Sequence, residues 1–203
     1  MAKAVQKGKG SGKKKKQLGS RMQKAKKKWF IVNAPEAFNK KEIGTIPAND
    51  SNSLIGRTLE VSFGELTGNR KDVFNKVKLK INQVRGETAE TIVKKFYVAE
   101  SYIQTIHRKN KKRIVYVFEV KTKDEQKLRI KLYLLAKERI HRSVSASLIK
   151  RAESLVSKEV SKKVAADILS VEGPKKLSNM LRNELKEIYP VKPVIWKIYN
   201  LSA

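Results

Sequence analysis

Phe74-Asn75-Lys76-Val77-Lys78-Leu79-Lys80-Ile81-Asn82-Gln83-Val84 is the run whose pattern decides the fold. Side chains along a strand point alternately to opposite faces. Val77, Leu79 and Ile81 therefore share one side, and Lys76, Lys78 and Lys80 share the other. One face suits a core and the other carries positive charge. Upstream, Arg57 to Phe63 follows the same rule: Leu59, Val61 and Phe63 alternate with Glu60 and Ser62 between Gly56 and Gly64. Downstream, Glu90 to Val98 reads as a further strand, and a long hairpin follows. Ile114, Tyr116, Phe118 and Val120 run into a polar turn at Lys121 to Gln126, and Leu128, Ile130, Leu132 and Leu134 return. Lys127, Arg129 and Lys131 again take the parity opposite the apolar set. A cationic sheet face is plausible on this parity, and an ordinary wetted antiparallel face fits it equally well.

Working outward, a first strand begins at Trp29, Phe30, Ile31 and Val32 and is halted by Pro35. Ser101 to Asn110 reads as a short helix or an irregular link. After Ala136 the apolar period lengthens to nearly four, through Val144, Leu148, Ala152, Val156, Val160, Val164 and Ile168, which predicts one long helix with Ser143 as its N-cap. Gly173 and Pro174 supply a stop and restart, and a second helix runs from about Lys175 to Ile188, before Pro190, with Leu177, Leu181, Leu185 and Ile188 on its apolar side. Val194, Trp196 and Ile198 alternate in a closing strand. Strands followed by helices predict an α+β fold: a barrel-like antiparallel β-sheet at about 29–136, two helices at about 143–188 and a final strand at about 191–199, all one domain spanning 29–203.

Charge bounds the function. Of 203 residues, 47 are Lys or Arg and 19 are Asp or Glu, giving +28, so the partner must be a polyanion. An apolar content of 40 % is enough for a real core and excludes disorder throughout. The longest apolar runs, such as Ile114 to Phe118, are far short of the roughly 20 residues a membrane helix requires. With no Cys there is no disulfide framework, zinc ribbon, iron–sulfur cluster or thiol nucleophile, and the cytoplasm is the expected compartment. Residues 1–28 hold 12 Lys or Arg and no acidic residue, and are predicted to form a disordered basic tail. The tail lacks the apolar stretch of a secretory signal and the Arg-rich amphipathic stripe of a presequence. The remainder still carries +16.

Two groups are candidates for RNA contact. The first is the tail, with Lys13, Lys14, Lys15, Lys16, Arg21, Lys24, Lys26, Lys27 and Lys28, where each Lys near a phosphate releases a condensed counterion. Trp29 follows directly and either stacks on a base or is buried in the first strand. The second is Arg108, Lys109, Lys111, Lys112 and Arg113, five cations in six positions, denser than a solvated face requires; an Arg fork can grip a phosphate through two parallel hydrogen bonds. Catalysis finds little support. His107 and His141 each sit beside an Arg with no metal-ligand spacing, and Asp50, Asp72, Asp124 and Asp167 are isolated from one another. Gly8, Gly10 and Gly12 lack the strand and helix that a phosphate loop needs. No catalytic residue, metal or cofactor is expected.

Several strings occur in a telling order: Lys28-Trp29-Phe30 with Ala34-Pro35 and Phe38-Asn39; Ile43-Gly44-Thr45; Gly56-Arg57 with Glu60-Val61-Ser62 and Leu66; Lys78-Leu79-Lys80 with Val84 and Gly86; and Ile188-Tyr189-Pro190. Their collinearity resembles the archaeal and eukaryotic small-subunit ribosomal protein family S-one-e, S-three-a-e in its eukaryotic naming, from about Lys26 to Ile198. The chain stops at Ala203 without the longer C-terminal extension of eukaryotic members, so it resembles the archaeal type. The resemblance implies a barrel-like β domain with appended helices, a structural constituent of the small subunit bound to its ribosomal RNA on the platform near the messenger RNA exit. It further implies platform proteins as neighbours, with contact to messenger RNA and initiation factors. Structured RNA is read mainly through backbone, shape and 2′-hydroxyls, which suits a chain with 7 % aromatic residues. The alternatives are a basic DNA-organising protein and an RNA-processing enzyme. The first would bind duplex DNA as well as structured RNA, and the second would show turnover that depends on His107, His141 or an aspartate.

Overall fold

The computed structural model describes residues 27–107 and 112–201. In chain order the strands are β1 (Lys28–Asn33), β2 (Glu42–Ala48), β3 (Thr58–Ser62), β4 (Asn75–Arg85), β5 (Thr88–Val98), β6 (Arg113–Lys121), β7 (Lys127–Ala136) and β8 (Val191–Asn200). The helices are α1 (Phe63–Thr67), α2 (Glu100–Ile106), α3 (Arg142–Ser161), α4 (Ala165–Ile168) and α5 (Gly173–Leu185). The lysine-alternating run is β4, and Val77, Leu79 and Ile81 are all fully buried, as the parity requires. Gly86 turns it into β5: with Arg85 opposite Thr88, the loop has two residues, and the first takes φ 60°, a region in which glycine alone is unstrained.

All eight strands join one sheet in the order β2-β1-β5-β8-β7-β6, with β4 beside β5 and β3 outside β4. The junction is β5. One of its edges pairs with β4 along nearly its whole length. The other edge pairs first with β1, in parallel at Thr88–Glu90, and then with β8, antiparallel at Lys95–Tyr97. This fork corrects the barrel-like expectation. The sheet stays open, ending among the described residues in β2, β3 and β6, and β8 fills the gap between β5 and β7 instead of closing a ring. The α+β class holds, with one parallel pair in an otherwise antiparallel sheet.

Two apolar clusters result. The larger lies under the helices, where α3 buries Leu148, Ala152, Val156 and Val160 and packs on β6, while α5 buries Leu177, Leu181 and Leu185 and packs on β8. Tyr116 Oη donates to Glu153 across the β6–α3 contact at 3.1 Å. The smaller cluster comprises Phe30, Val32, Ala48, Leu54, Ile81 and Ala89. Strands β4 and β5 contribute to both.

Several local expectations are corrected. β1 begins at Lys28, so a wholly disordered segment 1–28 is too long by that residue; residues 1–26 lie outside the described residues. The long helix is not continuous to Ile168. It stops at Ser161, where the β6–β7 turn takes up the backbone: Lys163 O accepts from Lys123 N at 3.1 Å, and Ala165 N donates to Asp124 Oδ2 at 3.4 Å. Ser143 is not the N-cap. α3 starts earlier, behind His141, and Ser147 Oγ donates back to Ser143 O at 3.1 Å. Two helices become three after the hairpin, with α1 and α2 before it. β2 was not expected as a strand because Gly44 and Pro47 interrupt its pattern; an edge strand tolerates a residue that lacks an N–H.

The start of α5 is tied to a 3-10 turn at Arg70–Asp72. Lys175 Nζ lies 2.6 Å from Asp72 Oδ2, and Asn75 Nδ2 donates to Asp72 Oδ1 at 3.2 Å. The Asp72 side chain is buried and that of Lys175 is half exposed. Lys175→Met would leave a buried carboxylate short of a partner. It is expected to lower unfolding stability by about 1–3 kcal/mol in urea melts, with Asp72→Asn restoring part of the loss in the double variant. A Lys175→Met melt that overlays the wild type would show that the pair contributes nothing.

Candidate nucleic-acid interface

Helices α3 and α5 cover one face of the sheet, α2 reaches the other through Glu100, and two β-bulges shape the rest of that face. In β5 the buried set is Ala89, Thr91 and Val93, then Phe96 and Val98. The parity changes because Lys78 pairs with Lys95 and Leu79 with Val93, which leaves Lys94 as an extra residue. Both Lys94 and Lys95 thus stand off the core. β8 repeats the device. Lys131 pairs with Lys197 and Leu132 with Ile195, so Trp196 is extra; Lys197 turns off the core side between buried Ile195 and Ile198, while Trp196 stays partly buried, edge-on to Tyr133.

Register then assembles two rows across β3, β4, β5, β8, β7 and β6. One reads Glu60, Lys78, Lys95, Tyr199, Arg129, Glu119, and its neighbour reads Ser62, Lys76, Tyr97, Lys197, Lys131, Val117. Lys80 extends the face along β4, opposite Thr58. Acidic groups occupy the margins. Arg129 donates to Glu119 Oε1 through Nε at 2.8 Å and Nη2 at 2.6 Å, and Lys197 pairs with Glu100 at 3.1 Å. Lys76, Lys78, Lys80 and Lys94 have no carboxylate partner among the described residues. Three ammonium groups, that of Lys197 included, rest on rings. Lys95 Nζ lies 4.6 Å from the Tyr97 centroid and 4.9 Å from that of Tyr199, while Lys131 and Lys197 lie 4.2 Å and 4.4 Å from Trp196. At the β5 bulge, Thr58, Lys78, Lys94, Lys95 and Tyr199 border an open cleft of about 550 Å³.

Burial, with the Glu60 carboxylate next to its hydroxyl, pushes the pKa of Tyr97 up to about 12. The Glu153 hydrogen bond raises that of Tyr116 as well. The folded chain therefore keeps the Tyr97 proton more tightly than the unfolded chain, where tyrosine titrates near 10. The resulting stability is complete below about pH 10 and is lost as pH rises through about 12. In a spectrophotometric titration, Tyr97→Phe is expected to remove a late phenolate step and to flatten the fall in stability over that window. Loss of a step near pH 10, with the late step kept, would mean that Tyr97 ionises like a free tyrosine.

The residues singled out by sequence do not form one surface. Lys13, Lys14, Lys15, Lys16, Arg21, Lys24, Lys26, Arg108, Lys109 and Lys111 lie outside the described residues. Lys27 precedes β1 and Lys28 opens it. Trp29 is 64 % exposed, opposite in parity to buried Phe30 and Val32, so its burial in the first strand is excluded. Lys112 and Arg113 are exposed at the start of β6, which β5, β8 and β7 separate from β1. Ala136 N donates to Lys112 O at 3.0 Å, which brings this corner beside the segment holding Lys137, Arg139 and His141. Lys94, Lys95, Tyr97, Trp196, Lys197 and Tyr199 escaped the sequence reading. Their signal was the break in alternation between Val93 and Phe96 and between Ile195 and Ile198. Among the described residues, no three His, Asp or Glu side chains gather as metal ligands.

Comparison with known families matches residues 13–203 to the Ribosomal S3Ae family. The small ribosomal subunit protein eS1 of Haloquadratum walsbyi is 28 % identical over 181 residues, 89 % of this chain and 85 % of that protein. The eS1 protein of Methanobrevibacter smithii is 29 % identical, covering 83 % of this chain and 87 % of its own. That of Sulfolobus acidocaldarius is 30 % identical, covering 83 % and 86 %.

Proposed function

The chain belongs to the Ribosomal S3Ae family, and on that premise we propose that it is a structural, non-catalytic constituent of the small ribosomal subunit that neutralises folded ribosomal RNA through the bulged outer face of its sheet. The observation that carries the RNA contact is the group of unpaired lysines Lys76, Lys78, Lys80 and Lys94 on two adjoining strands. Phosphates crowded by RNA folding repel one another, and lysines without carboxylate partners are free to replace the counterions between them. The lysine-rich segment before β1 adds cations of the same kind, and Lys112 with Arg113 forms a further contact at the start of β6. The family resemblance further supports a place on the platform near the messenger RNA exit, beside other platform proteins, with messenger RNA and initiation factors within reach. That setting is cytoplasmic.

Fractionation of cell extract at raised salt tests the reading. The chain is expected to sediment with small subunits and to stay with them after a salt wash; a chain left in the soluble fraction overturns the assignment. Competition with duplex DNA separates the DNA-organising alternative, under which DNA would displace ribosomal RNA at equal concentration.

A further inference from the structure

The chain is poor in aromatic residues, 7 % in all, yet Tyr97 and Tyr199 stand on the charged face of the sheet, and Trp196 lies beside them, partly buried edge-on against Tyr133 at 6.1 Å with its Nε1 enclosed. Each has a lysine ammonium resting over its ring, so each turns a π-face toward the polar layer. A wetted sheet face requires no rings, and a contact that only neutralises phosphate gains nothing from them. A duplex offers backbone and sugar hydroxyls to a flat surface and keeps its bases stacked inside. An unpaired strand offers both a charged backbone and free base faces, the two features to which this surface is complementary.

We propose that the outer face of β4, β5, β8 and β7 holds an unpaired stretch of RNA, with phosphates on Lys76, Lys78 and Lys94 and bases on Tyr97 and Tyr199, next to the partly buried Trp196. The proposal rests on the ribosomal RNA-binding reading and specifies the form of RNA bound at that site. The bulges are what make the site. Without the extra residue in β5, Lys94 and Lys95 would point to opposite faces, and without the one in β8 so would Trp196 and Lys197. Cross-strand diagonal neighbours lie roughly 7–8 Å apart, within reach of large side chains, so Lys95 serves Tyr97 and Tyr199 together. Glu60 and Glu119 border the strip on β3 and β6. Its four strands span roughly 14 Å at ordinary strand spacing, and its acidic margins steer a phosphate chain along the centre. An arriving base takes the ring face that Lys95 covers, and the displaced ammonium moves to the neighbouring phosphate.

The test uses the full chain with a labelled eight-nucleotide unstructured RNA and an RNA hairpin of equal charge. In a Trp29→Phe background Trp196 is the sole indole, and its fluorescence is expected to be quenched by the unstructured RNA and not by the hairpin. Tyr97→Leu and Tyr199→Leu are each expected to weaken single-strand binding by about tenfold in anisotropy titrations, with hairpin binding and the salt slope unchanged. Thermal melts check that both variants are folded, and the Trp196 signal reads the site without altering the sheet face. Equal quenching by both RNAs, or ring variants that bind the single strand like their parent, overturns the proposal. A chain that fails it and still sediments with small subunits retains the ribosomal reading; a chain that does not sediment loses both.

Discussion

Deleting Lys94 is expected to abolish the cooperative fold, while Lys94→Gln leaves stability within about half a kcal/mol of the parent, as for other exposed positions. Lys94 is the extra residue that lets β5 bury Ala89, Thr91 and Val93 before it and Phe96 and Val98 after it. Side-chain direction has a period of two, so a one-residue deletion turns one of these sets outward. Losing Phe96 and Val98 from the core forfeits about 4 kcal/mol or more of apolar burial. Reversing the other half instead pulls Ala89 out of the smaller cluster and Val93 out of the larger. Either outcome approaches the whole stability of an ordinary domain, about 5–15 kcal/mol. Circular dichroism melts decide it: a deletion variant with a sharp transition near that of the parent would mean that the bulge is incidental.

The second large effect concerns binding. Replacing Lys76, Lys78, Lys80 and Lys94 together by Gln is expected to weaken affinity for a ribosomal RNA fragment by about a hundredfold or more near physiological salt. The slope of log affinity against log salt should fall by roughly 3, since each phosphate contact contributes about 0.7–0.9. Stability should hold or rise slightly, because Lys78 directly opposes Lys95 and that repulsion is relieved. Filter binding across a salt series measures both quantities. A variant with the parental slope would place the RNA elsewhere, with the lysine-rich start or the Lys112–Arg113 corner as the remaining cation sources.

The strands were legible where a single face is buried. Val77, Leu79 and Ile81, and the hairpin set from Ile114 to Leu134, reveal themselves by alternation alone, and the four-residue recurrence from Leu148 to Val160 marks the buried stripe of α3. The fork was not legible, because which strand lies beside Thr88–Glu90 and which beside Lys95–Tyr97 depends on pairing between distant segments. An open and a closed sheet share the same local pattern. The candidate site was half visible. Runs of lysine draw attention to the chain's start and to Arg108–Arg113, whereas the surface with the better chemistry gathers residues near 76, 95 and 197, which register alone brings side by side. The low aromatic content suited structured RNA, and nothing in composition shows that register sets Tyr97 and Tyr199 beside Lys95.

Strand β1 meets the main sheet through three residue pairs, Ile31–Asn33 against Thr88–Glu90, reinforced by the Thr91 hydroxyl donating to Asn33 O at 2.8 Å. The seam of β5 with β8 at Lys95–Tyr97 is equally short, also three pairs, so the two halves of the cationic face are joined across a junction no longer than the one that holds β1.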